Sequence, residues 1–126
     1  KLDRVCQAID RHRDARITVT NQTGSHRIAC SDALYIASED HRLTFHLVCG
    51  GSLSTTAMTL AAAQDELAPQ GFARCHKKYL ANLHYVDGYQ KDAVTLSCPG
   101  AESVSLPLSR SFRSDFLKAL LTRWEG

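Results

Sequence analysis

The side chains with the most chemical reach in this 126-residue chain stand where an apolar alternation is interrupted. They are His41-Arg42, the run Cys75-His76-Lys77-Lys78, and Ser109-Arg110 followed by Arg113. Arginine can make a bidentate contact to guanine O6 and N7, histidine and lysine can donate to the same edge, and all three neutralise phosphate. Loop tips of this composition therefore suit a DNA groove. If Ser109 caps a following helix, the free amides of its first turn add an anion site beside Arg110 and Arg113. Taken singly, most such residues are solvated loop charges, so the case for a shared surface rests on three groups recurring together.

Other chemistries find weaker support. Cys75 beside His76 invites a thiol nucleophile, but neighbouring strand residues point to opposite faces, which keeps the imidazole from serving as its base. Cys75 reads instead as a small buried residue. A redox-sensitive thiol is the minor alternative, since Arg74, Lys77 and Lys78 stand near enough in sequence to lower its pKa. Six His and five Cys are present, yet no pair has the spacing of a zinc ligand pair, and no metal or cofactor is expected. Dinucleotide, P-loop and nucleophile-elbow motifs are missing, and Gly50-Gly51-Ser52 reads as a hairpin turn.

These residues need a scaffold, and the composition supplies one. With 44% hydrophobic and 22% charged residues the chain matches a single globular domain. A chain this long buries roughly two thirds of its unfolded surface, so neither disulfide nor metal is needed. No apolar run approaches the roughly 20 residues of a membrane span, and Lys1-Leu2-Asp3-Arg4 lacks the apolar stretch of a signal peptide. Five scattered cysteines, Cys6, Cys30, Cys49, Cys75 and Cys98, fit buried or free thiols in a reducing cytoplasm. The net charge of +2 is unevenly spread. Residues 1–69 hold seven Lys/Arg against eight Asp/Glu, and residues 70–126 hold eight against five, so a polyanion meets mainly the second half.

Periodicity then places the elements. Leu2, Val5, Cys6 and Ile9 have helical spacing, so residues 1–14 read as an amphipathic linker helix, without an initiator Met before it. From Arg16 the period is two: Ile17 and Val19, a turn at Asn21 to Gly24, then Ile28 and Cys30 predict a hairpin. Leu34-Tyr35-Ile36 and the alternation Leu43, Phe45, Leu47, Cys49 predict two strands joined by the charged tip Glu39-Asp40-His41-Arg42. Ser54-Thr55-Thr56 leads into a short helix carrying Met58, Leu60, Ala63 and Leu67, which Pro69 and Gly71 stop. Strands resume at Phe72 to Cys75, Tyr79-Leu80, Val94 to Cys98 and Val104 to Leu108, with Pro99-Gly100 as a turn. Phe112, Phe116, Leu120 with Leu117, Leu121, Trp124 predict one apolar face of a C-terminal helix. The expected fold is mainly β, with antiparallel sheets, one short internal helix and a C-terminal helix.

In this order the blocks resemble the LytTR DNA-binding domain of bacterial response regulators, over roughly residues 15–120. Arg16-Ile17-Thr18-Val19 and Ser31-Asp32-Ala33-Leu34-Tyr35-Ile36-Ala37 resemble its opening strands and its D-I-x-Y-I-E segment. Leu60 to Leu67 resembles its short helix, Phe72 to Asn82 its F-x-R-x-H-R-S-Y-I/L-V-N signature, and Leu106-Pro107-Leu108-Ser109-Arg110 its closing I/L-P-I/V-S-R. The resemblance implies an elongated fold whose loops, rather than a recognition helix, enter successive major grooves of a promoter, with two copies on paired direct repeats.

Carried over by position, the resemblance makes His41 flanked by Arg42, then Lys77 with Lys78, then Arg110 the DNA-contacting residues, with Ser109 and Arg113 near phosphate. Lys77-Lys78 replaces the usual Arg/Asn-Ser, so a point donor stands where a planar group is common. The resemblance further implies that residues 1–14 link residues 15–126 to an upstream receiver domain. The expected function is sequence-specific binding of double-stranded DNA as a cytoplasmic, non-enzymatic transcription output domain. The alternatives are a protein-interaction or sensory β module whose free strand edges accept a partner, and a thiol enzyme or redox switch at Cys75.

Overall fold

The computed structural model describes residues 16–48, 50–98 and 102–125. The linker expected at 1–14, the turn at Pro99-Gly100, and Cys6 and Cys49 lie outside the described residues. Strong alternation builds the first hairpin, where β1 (Arg16–Asn21) pairs antiparallel with β2 (Gly24–Ala29). Ile17 and Val19 point inward and are fully buried, while Thr18 and Thr20 face solvent.

The central sheet is formed by β3 (Ala33–Glu39), β4 (Arg42–Leu47), β5 (Ser52–Thr55), β6 (Phe72–His76) and β7 (Tyr79–Asn82), in the order β5-β4-β3-β7-β6. Its neighbours are all antiparallel. A third sheet, β8 (Val86–Tyr89), β9 (Ala93–Leu96) and β10 (Val104–Pro107), has the order β10-β9-β8. The two helices among the described residues are α1 (Leu60–Leu67) and α2 (Arg110–Glu125). Thr59 caps α1 by accepting from the Ala62 amide at 3.1 Å, and Gly71, at φ 97°, turns the chain out of the short 3-10 turn that follows.

The central sheet is packed on both faces. On one, Ile36, Leu43, Phe45, Phe72 and Leu80 meet Ile17 and Val19 of the hairpin and Leu60, Ala63 and Leu67 of α1. On the other, Cys75 and Ala81 meet Val94 and Leu96 of β9, Leu106 of β10, and Phe116 and Leu120 of α2. A strand buried on both sides needs apolar residues at consecutive positions, which explains the runs Leu34 to Ala37 and Leu80-Ala81.

The expected mainly β fold with two helices is the fold observed. Two strands escape the sequence reading: β5 is hydroxyl-rich and lies at a sheet edge, and β8 carries Asp87 and Gly88, both poor strand formers. The expected apolar face of α2 is also only half covered. Phe116 and Leu120 are fully buried, whereas Leu121 and Trp124 are 40% and 48% exposed, with Trp124 resting against Tyr89 of β8.

Candidate nucleic-acid interface

Strand direction decides which turns share an end of the central sheet. β3 runs from Ala33 to Glu39 and β7 runs back from Tyr79, with Ala37 opposite Tyr79. The β3–β4 turn and the β6–β7 turn therefore leave the sheet side by side, about two strand spacings or roughly 10 Å apart. A backbone bond from the Ser38 amide to the Lys78 carbonyl, 2.8 Å, ties them together.

The β3–β4 turn has only two residues beyond the closing pair Glu39 and Arg42. Asp40 at φ 49° and His41 at φ 63° are both left-handed, the geometry of a type I′ hairpin, whose twist matches the flanking strands. A two-residue tip of this kind projects His41 and Arg42 outward, and both are exposed.

The β6–β7 turn is equally tight, with Lys77 and Lys78 between His76 and Tyr79, and both lysines are exposed. Arg74 holds it from below. Its Nε donates to the His76 carbonyl at 3.2 Å, one Nη to the Lys77 carbonyl at 2.7 Å, and the other Nη to Gln64 Oε1 of α1 at 2.8 Å. The guanidinium also lies over the Phe112 ring, 5.2 Å from its centroid, which joins α1, the turn and α2. Three of its five donors are thus spent on structure.

Beyond β6, the Ser109 amide donates to the Cys75 carbonyl at 2.8 Å, so α2 begins at the same end of the sheet. Ser109 Oγ accepts from the Ser111 amide at 3.3 Å, and Arg110 stands exposed one residue on. Arg113 Nε donates to the Lys91 carbonyl at 3.1 Å, and the Leu108 amide to the Asp92 carbonyl at 2.9 Å, which brings the β8–β9 turn and exposed Lys91 to the same place. One rim thus collects Arg42, Lys77, Lys78, Lys91 and Arg110 against the carboxylates Glu39, Asp40 and Asp92, a cationic excess.

All seven expected site residues, His41, Arg42, Lys77, Lys78, Ser109, Arg110 and Arg113, fall on this rim, with Arg113 partly engaged by Lys91. Two contributors were not foreseen from sequence. Lys91 lies in a turn whose first strand was unread. Arg74 carries a signal only in hindsight, as a charge inside the strand block Phe72 to Cys75.

The titrating groups behind the rim are tuned by burial. His76 Nδ1 accepts from the Lys78 amide at 3.1 Å, which needs that nitrogen unprotonated. Burial, then the cations Lys77, Lys78 and Arg74, lower the His76 pKa in agreement with that role. His46 stacks on Tyr35 with centroids 4.3 Å apart, and burial lowers its pKa, partly offset by Glu39. The minor expectation of an activated Cys75 is overturned. The thiol is fully buried and faces the Tyr79 carbonyl at 4.0 Å, and burial pushes its pKa up to about 12, with a backbone hydrogen bond opposing it only in part. Cys30 and Cys98 are likewise buried. No group of three or more His, Cys, Asp or Glu that could hold a metal ion occurs among the described residues, and none of their helices is long and apolar enough to cross a membrane.

Comparison with known proteins follows the same lines. The family model for the LytTr DNA-binding domain matches residues 23–121. Among solved structures, the chain is similar to the LytTr DNA-binding domain of a Bacillus cereus protein described as a methyl-accepting/DNA response regulator. The two share 24% identity at a TM-score of 0.62, over 84% of this chain and 96% of the other. No curated protein matches.

Proposed function

The chain belongs to the LytTR family of DNA-binding domains, and from that membership we propose that its rim reads double-stranded DNA in a sequence-specific way. The observation that carries this reading is the convergence of residues 40–42, 77–78 and 109–113, far apart in the chain, on one end of the central sheet. His41 on its two-residue tip and Arg110 at the start of α2 address base edges in the major groove, which is about 12 Å wide and admits such projections. Lys77 stands between them as a point donor. Lys78, Arg42 and the free Nη groups of Arg113 meet phosphates, with Ser109 at the helix start.

Two copies bind paired direct repeats of a promoter, as the output domain of a cytoplasmic two-component regulator whose receiver domain precedes residues 1–14. The role is binding, not catalysis. The experiment is an anisotropy titration on a site selected from a random duplex pool. Arg110→Ala or His41→Ala is expected to lose about 1–3 kcal/mol on the selected site and to relax its sequence preference. Lys78→Ala weakens all duplexes alike and reduces the salt slope by about one. Wild-type protein that retains no duplex, or four rim variants (His41, Lys78, Arg110 and Arg113 to Ala) that bind as wild type does, overturns the reading.

A further inference from the structure

A cleft of about 250 Å³ opens beside the rim, lined by Asn21, Gln22 and Thr23 of the β1–β2 turn, Arg42 of β4, and Ser54, Thr55 and Thr56 at the end of β5. Leu43 pairs with Thr55, so the end of β5 lies at the same end of the central sheet as His41.

The cleft has a fixed wall and free donors. Asn21 Nδ2 donates to the Ser54 carbonyl at 3.0 Å, and Asn21 Oδ1 accepts from the Thr23 amide and hydroxyl at 2.9 and 2.6 Å. Thr55 Oγ1 donates to the Thr20 carbonyl and accepts from the Ala57 amide, and Ser54 Oγ bonds Thr44 Oγ1. These bonds clamp the β1–β2 turn against the sheet. Arg42, Gln22 and Thr56 remain, all three exposed, with their side chains taken up by no partner among the described residues. Guanidinium, amide and hydroxyl are all donors, and no lining residue is a carboxylate. Such a set favours an anion with several oxygens.

We propose that this cleft is a phosphate notch that holds the DNA backbone beside the groove entered by His41, so that the β1–β2 turn is a further DNA-contacting segment. The inference rests on the duplex-reading role given above. DNA is the source of the phosphate because the three free donors are exposed, where a lone small anion is held weakly against water and salt, whereas a duplex already docked on the rim presents its phosphates at high local concentration.

The test is a charge change at Gln22, an exposed turn residue whose side chain supports no wall bond. Gln22→Glu, nearly isosteric, is expected to weaken binding about fivefold, the size of a unit-charge interaction at about 4 Å in water. Gln22→Lys strengthens it comparably and steepens the dependence of log K on log salt by about one. Both effects are equal on selected and scrambled duplexes, because phosphate carries no sequence. Thr56→Glu repeats the loss from the opposite wall, and Gln70→Glu, exposed at the far end of β6, changes nothing. A neutral methylphosphonate in place of the contacted phosphate abolishes the Gln22→Glu effect. If wild type binds but both Gln22 variants match it in affinity and salt slope, the notch is refuted while the duplex reading survives. Wild type that binds no duplex refutes the underlying reading first. Saturable binding of glucose 6-phosphate that Gln22→Glu abolishes, with unchanged DNA affinity, assigns the cleft to a small phosphorylated ligand and overturns the proposal.

Discussion

The two ends of the central sheet are built from the same strands and put to opposite uses. At the end away from the rim, polar groups are consumed by the fold. Asn82, only 3% exposed, donates to the Ala33 carbonyl at 2.8 Å and the Cys30 carbonyl at 3.4 Å, and accepts from the His84 amide at 3.0 Å. The Val48 amide meets the Asp32 carbonyl at 2.9 Å, the Leu83 amide the Gly71 carbonyl at 2.8 Å, and the Tyr85 hydroxyl the Ser31 carbonyl at 2.7 Å. At the rim the backbone is tied just as firmly, by Arg74 and by the Ser38 and Ser109 amides, yet the terminal charges of Lys77, Lys78, Arg42 and Arg110 are left to solvent. Two adjacent residues there, Asp40 and His41, hold a backbone that side chains disfavour. The rim thus separates the groups that fix position from the groups left free to make contact.

The largest expected effect tests the closed end. Asn82→Ala leaves two carbonyls and one amide in a buried site without their partner, and about 3 kcal/mol of stability goes with them. Denaturant melting measures the loss, and the fraction still folded binds its selected site with unaltered base preference. A shift in preference means the two ends are not separable. Arg74→Met comes next, at about 2 kcal/mol, because the methionine keeps some packing against Phe112 but gives up three charge-assisted bonds. Here stability and affinity fall together, since the β6–β7 tip loses its support. Unchanged affinity makes Arg74 a packing residue only.

How much of this was legible in the chain depends on range. The tips at Asp40-His41 and Lys77-Lys78 could be read because charge interrupts a period-two pattern locally. That all seven polar residues share one end follows from antiparallel register, which the sequence expresses only through the family resemblance. Arg74 could not be read, because its acceptors include a glutamine on α1, ten positions away, and carbonyls exposed by the turn itself. β5 was hidden by Ser52 to Thr55, whose hydroxyls suit both an edge strand and the lead into a helix. Cys75 shows the opposite error, since neighbouring cations are visible in sequence and the burial that raises the thiol pKa is not.

A smaller effect separates the ends by titration. His46 sits toward the closed end and His76 at the rim, and both pKa values lie below the ordinary 6.5. The folded chain therefore binds fewer protons than the unfolded chain as pH drops below about 6.5, and stability falls through that window rather than rising. Protonating His76 also removes the acceptor for the Lys78 amide. The causes differ: repulsion from Lys77, Lys78 and Arg74 adds to burial at His76, while burial leads at His46 against an opposing Glu39. Side-chain NMR titration is expected to show the His76 pKa rising with added salt and on DNA binding, as its cations are screened, with His46 moving little. Equal responses of the two imidazoles break the comparison.

The smallest effect is the most direct, because stability and binding should move in opposite directions. His41 at φ 63° holds a left-handed backbone that costs an L residue about 1–2 kcal/mol, and glycine relieves it while adding about 0.5–1 kcal/mol of chain entropy to be lost on folding. His41→Gly is thus expected to stabilise the domain by about 0.5 kcal/mol, seen as a small rise in melting midpoint, while removing the imidazole from the groove and lowering specific affinity. His41→Ala keeps the strain and loses the imidazole, so it binds as poorly without the gain in stability. The pair isolates what the tip geometry contributes from what the side chain contributes. A glycine variant that is both more stable and binds as tightly as wild type removes His41 from the reading surface, and leaves the rim to Lys77 and Arg110.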